Sequence, residues 1–179
     1  MTQSNQYEIE FRARFDKAAH DRVKKLLDDK AKDLGVDDRD SFIYVFPDKS
    51  LKVVHAISQN KAKVALKLNR LGQANEFEEI ETSFDPKDFN KMATIFEKMG
   101  FTDVQRSFQK RHNYKFRDVE IALKHSDTWG YHAELEIMVP DRAQQEKAEA
   151  QIRKVAKELD IMLMTNDEIT KFCDQADKK

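Results

Sequence analysis

Two acidic pairs stand far apart in this chain with the same spacing. Glu8 and Glu10 lie in Tyr7-Glu-Ile-Glu-Phe-Arg-Ala-Arg-Phe15, and Glu134 and Glu136 lie in His132-Ala-Glu-Leu-Glu-Ile-Met-Val139. In an extended strand, residues two apart share a face at about 7 Å. There two carboxylates repel by roughly 2.4 kcal/mol at an effective dielectric of ~20. Water and salt screen that repulsion on an open surface; in an enclosed site it calls for a cation. Carboxylates without histidine or cysteine partners suit hard ions such as Mg²⁺ or Mn²⁺. Arg12 continues the face of the first pair, and Lys67 and Arg111 stand on the polar faces of other alternating segments. Lys and Arg in the same cavity suit phosphate oxygens. A metal-bound polyphosphate satisfies both sets at once.

The elements must bring these groups together. Over residues 7–15, Tyr7, Ile9, Phe11, Ala13 and Phe15 alternate with Glu8, Glu10, Arg12 and Arg14, which predicts a strand with one apolar and one charged face. The alternative is a solvated face with Glu8 and Glu10 bridged to Arg12. Asp16 to Leu34 reads as a helix, with Asp16 as cap, Ala19, Val23, Leu26, Leu27 and Leu34 on one stripe, and Gly35 as its stop. Its lysines read as a solvated face. Ser41–Phe46 and Leu51–Ile57 read as a hairpin across Pro47-Asp48-Lys49. Lys61 to Asn69 alternates again, placing Lys63 and Lys67 opposite Ala62, Val64, Leu66 and Leu68. Gly72 and Asn75 mark a turn, and Phe77–Phe84 presents Glu79, Glu81 and Ser83 on one face.

Asp85-Pro86 opens a helix with Phe89, Met92, Ile95, Phe96 and Met99 as its buried stripe and Gly100 at its close. Residues 104–117 read as a long strand with Gln105, Ser107, Gln109, Arg111, Asn113 and Lys115 on one face. Val119–Leu123 pairs across Asp127–Gly130 with Tyr131–Val139. Pro140-Asp141 opens a helix to Leu159 that turns Ala148, Ile152, Val155, Ala156 and Leu159 inward. A last helix starts at Thr165, where Thr165-x-x-Glu168 resembles a capping box, and buries Ile169, Phe172 and Cys173. His55 and His132 read as hydrogen-bonding residues, Trp129 as turn packing, Arg14 and Lys63 as residues at the rim of the charged faces, and Lys171 as a surface lysine.

At 179 residues the chain suits one domain with a substantial core: a tunnel core over 7–160 and a C-terminal helix over 165–179. The net charge of -1 gives no bulk attraction to nucleic acid or anionic membrane. Yet 36% of residues are charged, against a usual quarter or so, so the arrangement of charge matters more than its sum. Cys173 is the single cysteine, which excludes an internal disulfide and a cysteine-built zinc site and fits a reducing, cytoplasmic setting. No apolar run suits a signal peptide or a membrane span.

Helices with apolar stripes cover apolar sheet faces, so the charged faces of the strands lie on the other side. An antiparallel sheet of eight strands can curl on itself and gather those charges in a lumen. The expected fold is α+β: an eight-stranded, mostly antiparallel closed barrel with helices outside. Glu8, Glu10, Glu79, Glu81, Glu134 and Glu136 lie within, mixed with Arg12, Lys67 and Arg111. Glu79 and Glu81 are read as support through ion pairs before direct metal contact.

Glu8-x-Glu10-x-Arg12, Lys67, Arg111 and Glu134-x-Glu136 after a glycine turn together resemble the CYTH superfamily, the triphosphate tunnel metalloenzymes. Its members include class IV adenylate cyclases, thiamine triphosphatases and inorganic triphosphatases. The similarity covers residue 7 to about 160. It implies a tunnel in which Glu8, Glu10, Glu134 and Glu136 hold Mg²⁺ or Mn²⁺, and Arg12, Lys52, Lys67, Arg111 and Lys124 grip a triphosphate. Glu8, Glu10, Arg12 and Lys67 are then the catalytic candidates. The expected reaction is hydrolysis of a small-molecule triphosphate; cyclisation of ATP and binding without turnover are the alternatives, and monomer or homodimer are equally compatible. The chain departs from the family pattern at Arg12, usually Lys, and at Val54, Phe77 and Gln109, where cations are usual. It departs again at Lys124, where an Asp is usual.

Overall fold

The computed structural model describes residues 7–68 and 76–176. Among these, nine strands make one antiparallel sheet: β1 (Tyr7–Arg14), β2 (Lys32–Val36), β3 (Arg39–Val45), β4 (Ser50–Ala56), β5 (Lys61–Lys67), β6 (Glu76–Phe84), β7 (Val104–Phe116), β8 (Val119–Ser126) and β9 (Gly130–Val139). Their order is β2-β7-β3-β4-β5-β6-β1-β9-β8, and β7 also pairs with β8. Eight strands therefore close into a barrel, with β2 as an additional strand on β7. Four helices, α1 (Lys17–Lys30), α2 (Phe89–Lys98), α3 (Gln145–Glu158) and α4 (Asn166–Ala176), pack outside. The expected architecture is thus present, with one strand more than foreseen.

The core lies between the barrel and its helices. Val23 and Leu27 of α1, Ile152 and Val155 of α3 and Leu159 at the end of α3 bury against Ile9, Phe11, Tyr114, Ile121 and Leu135 on the outer faces of β1, β7, β8 and β9. A second cluster sets Phe89 of α2 against Tyr44 and Val53 of β3 and β4, and the Tyr44 hydroxyl donates to the Ala93 carbonyl at 3.1 Å. On β1 the other face is enclosed too: Glu10 and Arg12 are as buried as Ile9 and Phe11.

Several local expectations are corrected. The first helix ends at Lys30, not Leu34, because Ala31 turns extended and Lys32–Val36 pairs with β7. Gly35, at φ +92°, sits at a register shift in that pairing and not at a helix end, and Leu34 is left exposed. Pairing along β7 overrides a helical spacing that only Leu34 extended. The stripe of α2 is narrower than predicted: Phe89 and Ala93 are buried, Met92 and Phe96 pack against them, and Ile95 and Met99 face solvent. One short helix cannot turn both flanks of so wide a stripe to one sheet. The helices expected at Pro86 and after Asp141 begin with 3₁₀ turns, Pro86–Asp88 and Arg142–Gln144. β8 runs to Ser126, three residues past Leu123. The capping box at α4 forms as read, with Thr165 and Glu168 bonding each other's backbone amides. The turn expected at Gly72 and Asn75, and Asn69, lie outside the described residues.

Ile152 and Ile95 offer a direct comparison. Ile152→Ala opens a void under α3 and is expected to lower the unfolding free energy by about 3 kcal/mol. Ile95→Ala, on the exposed side of α2, should change it by less than about 1 kcal/mol. Urea unfolding of both variants checks the assignment; a large loss at Ile95 would contradict the narrow stripe.

Candidate functional site

The strands enclose a cavity of about 260 Å³ lined by Glu8, Glu10 and Arg12 of β1, Lys52 of β4, Lys67 of β5, Glu79 of β6, Arg111 of β7, Lys124 of β8 and Glu134 and Glu136 of β9. Every principal site residue predicted from the sequence is therefore in one lumen. Glu81 is not among the lining residues: it is half-exposed and paired with Lys63.

Register decides which charges are satisfied. β1 and β9 pair so that Arg12 stands opposite Glu134, and Glu10 opposite Glu136. The first match is of opposite charges, the second of like ones. Arg12 Nη2 lies 2.5 Å from Glu134 and from Glu10. Glu134 is also bound by Lys124 and approached by Arg111 at 3.6 Å. Burial would raise the Glu134 carboxyl, but Arg12, Lys124 and Arg111 hold it well below the usual carboxylate range. Glu134 is thus committed to three cations.

Glu8, Glu10 and Glu136 form the other cluster, with one carboxylate oxygen from each lying within 4.8 Å of the others. Lys67 reaches in from β5, 2.5 Å from Glu8, 3.1 Å from Glu10 and 3.6 Å from Glu79. Lys67, with Arg12 at Glu10, brings two cations to three carboxylates. Burial, then repulsion from Glu10, pushes Glu8 up to about 8 against the pull of Lys67. Burial raises Glu136 as well, with Arg111 opposing. Burial acts the same way on Glu10, but Arg12 and Lys67 outweigh it and keep that carboxyl low. Glu10 Oε1 has no aligned hydrogen bond. Three oxygen donors on adjacent strands, two of them short of counter-charge, fit a hard divalent cation.

The cationic side has the complementary imbalance. Among the described residues Lys52 has no ion-pair partner, and burial, then Lys67 and Arg12, lowers its ammonium to about 8. Burial lowers Lys124 to about 7 despite Glu134. Eight cationic side chains and five carboxylates line the cavity. An enclosed excess of cations beside a carboxylate cluster suits a multiply charged anion that carries a metal.

The sequence matches the CYTH domain model over residues 6–168. The chain belongs to the CYTH domain family. It is 30% identical over 95 residues to a Methanocaldococcus jannaschii protein named as a putative adenylate cyclase, covering 53% of this chain and 52% of that one. The chain thus matches about half the length of that curated relative. A solved Pyrococcus horikoshii structure superposes with a TM-score of 0.72 at 22% identity, over 90% of this chain and 99% of its own. A Hippeastrum protein, named as a putative adenylyl cyclase with a dominant triphosphatase activity, superposes with a TM-score of 0.62 at 16% identity over 88% and 89%. These last two show that the fold is shared.

The CYTH tunnel also contains residues that the sequence reading missed. Arg39 lines the cavity; extending the alternation of β3 two residues back from Ser41 reaches it. Trp129 is no mere turn residue: it lines the lumen, its ring lies 5.3 Å from the Arg12 guanidinium, and it stands 4.4 Å from Phe172 of α4. Phe172 and Cys173 line the cavity, whereas Lys171 is exposed and does not. Arg14 is exposed, bonded to the Trp129 carbonyl and stacked over Phe172, while Lys63 lines the lumen. His55 packs against Phe89 on the outer face. No periodicity reports contacts between a turn and a distant helix.

His132 is fully buried, its Nδ1 donating to the Gly130 carbonyl at 2.9 Å while Nε2 lacks a partner. Burial, then Lys124, pushes its pKa from 6.5 down to about 3. The unfolded chain therefore binds one more proton than the folded one between those values, so stability falls as pH drops through that window and is free of this penalty above it. Relative to His132→Gln, the unaltered protein should lose up to about 1.4 kcal/mol more per pH unit there. Urea unfolding between neutrality and pH 4 measures it; equal slopes would mean that the fold accepts the proton.

Proposed function

We propose that this protein is a divalent-metal-dependent phosphohydrolase acting on a small-molecule triphosphate held in the tunnel. The observation that supports it best is the coexistence, in one enclosed lumen, of an under-neutralised carboxylate cluster at Glu8, Glu10 and Glu136 and of Lys52, whose ammonium has no ion-pair partner among the described residues. Neither balances the other directly, and a metal-bound polyphosphate supplies what each lacks.

In this reading Glu8, Glu10 and Glu136 hold Mg²⁺ or Mn²⁺, with Glu79 behind them. Such an ion would withdraw electron density from the phosphoryl oxygens and polarise water for attack at phosphorus. Glu134, drawn into its three ion pairs, orients Arg12, Lys124 and Arg111 toward the anion instead of contacting the metal itself. Lys52, Lys67, Arg12 and Arg111 neutralise charge that develops on the phosphoryl oxygens. Lys67, already bound to Glu8 and Glu10, links the acidic cluster to the phosphate grip. The enclosed walls limit the water around these charges and so strengthen each interaction. With the triphosphate held the other way round, the same groups would serve attack of a ribose hydroxyl on the α-phosphorus. The single cysteine fits action in the cytoplasm.

The purified chain is incubated with tripolyphosphate, thiamine triphosphate or ATP and Mg²⁺ or Mn²⁺. Release of phosphate from at least one supports hydrolysis, whereas cyclic AMP from ATP would favour cyclisation. Glu8→Gln combined with Glu10→Gln should lower turnover more than 100-fold, of the order expected when an electrostatic contact to the reacting group is lost, with an unchanged far-UV spectrum. Full activity in that variant would remove the proposed metal site.

A further inference from the structure

Most charges in the lumen belong to β1, β5, β6, β8 and β9. On the opposite wall Ser41, Ile43 and Val45 of β3 and Gln105 and Gln109 of β7 are neutral. The cations there are Arg111 of β7, Lys49 between β3 and β4, and Arg39. Arg39 heads β3 directly across from Gln109 and faces the same cavity. In the barrel order β3 lies four strands from β1 whichever way round it is traced, so Arg39 and the Glu8–Glu10 pair stand on opposite walls.

Arg39 is held by an unusual support. Asp37 is almost wholly buried. Its Oδ2 accepts from Arg39 Nε at 2.9 Å and from Arg39 Nη2, and from Asn113 Nδ2 at 3.3 Å. The same oxygen lies 3.6 Å from Arg111 Nε, which donates to Asn113 Oδ1 at 2.6 Å. The backbone fixes the carboxylate in place: Asp37 N donates to the Arg111 carbonyl at 2.8 Å, and Arg111 N donates to Asp38 Oδ1 at 2.9 Å. One carboxylate thus orders two guanidinium groups and leaves a positive charge over. Arg39 Nη1 makes no hydrogen bond among the described residues, and the side chain keeps 27% exposure.

We propose that Arg39 is a substrate-binding residue that grips the end of the polyphosphate remote from the acidic cluster, and that Asp37 is the positioning residue holding Arg39 and Arg111 for that contact. The inference rests on the tunnel binding a polyphosphate, as argued above, and adds a residue and a polarity to that site. An anion bridging the lumen presents metal-chelating oxygens to β1 and β9 and its other oxygens to β3 and β7. Gln109 provides the control. Cross-strand partners have Cβ atoms about 5 Å apart, so a lysine at 109 can carry a cation to the place Arg39 serves.

Binding of inorganic tripolyphosphate in the presence of Mg²⁺ is measured by titration calorimetry on the full chain. Arg39→Gln, at a partly exposed site that should fold normally, is expected to weaken binding at least tenfold, the usual scale for a lost charge-assisted contact. Adding Gln109→Lys to Arg39→Gln should restore affinity to within about threefold. Asp37→Asn should weaken binding in the same direction while the far-UV spectrum is retained. Unchanged affinity in Arg39→Gln, beside clear binding by the unaltered protein, would overturn the inference and leave the proposed function standing. So would a loss that Gln109→Lys does not repair, since Arg39 would then act only as a structural clamp. Absence of binding by the unaltered protein would defeat the polyphosphate reading and this inference with it.

Discussion

Charge enclosed on the inside of a closed sheet is the condition everything else here must meet. A barrel closed by β7 and β8 has no edge through which the lumen can relax toward water. Helices on its outside demand the apolar faces of the same strands. The middle stretches of β1, β8 and β9 are therefore buried on both sides, with hydrocarbon on one and ions on the other. Leaving a charge unpaired in such a place costs several kcal/mol, so the side chains must be matched by position. Arg12 against Glu134, Lys124 against Glu134 and Lys67 between Glu8 and Glu10 are those matches. They are fixed by strand register, and a slip of one residue would turn the ions outward and the hydrocarbon in. The register that closes the barrel also brings the site residues together.

The alternation that this condition imposes is also what made the fold legible. β1 could be read residue by residue because Tyr7, Ile9, Phe11 and Ala13 serve the helices while Glu8, Glu10 and Arg12 serve the lumen. What escaped the sequence were facts created by pairing. Nothing in Lys32–Val36 alone marks a strand, since its partner, β7, lies some eighty residues further on. Asp37 looks like one of many acidic surface residues until the β2–β3 junction folds over Arg111. The four glutamates of the two pairs looked equivalent, too. The register makes them unequal, giving Glu134 three cations and leaving Glu136 opposite Glu10. Spacing along a strand tells which residues share a face, but not which charge sits across from them.

The departures from the family pattern read differently once the ions are placed. By the family resemblance, Val54 and Gln109 stand on the lumen wall where cations are expected, and Lys124 stands where a carboxylate is expected. Considered singly, these changes dilute and then unbalance the site. In the folded barrel Lys124 binds Glu134 and, with Arg12, keeps that carboxylate occupied. Arg39 stands across from Gln109, on a carboxylate that it shares with Arg111. The cavity has a cationic excess, with Arg39 at the β2–β3 junction and Lys124 on β8 among its cations. Charge excess governs whether a polyphosphate enters such a tunnel, and charge distribution governs which phosphorus comes to rest beside the acidic cluster. On the proposed function, a shift of cations from one wall to another changes where along the anion the chemistry falls, without altering the fold that carries it.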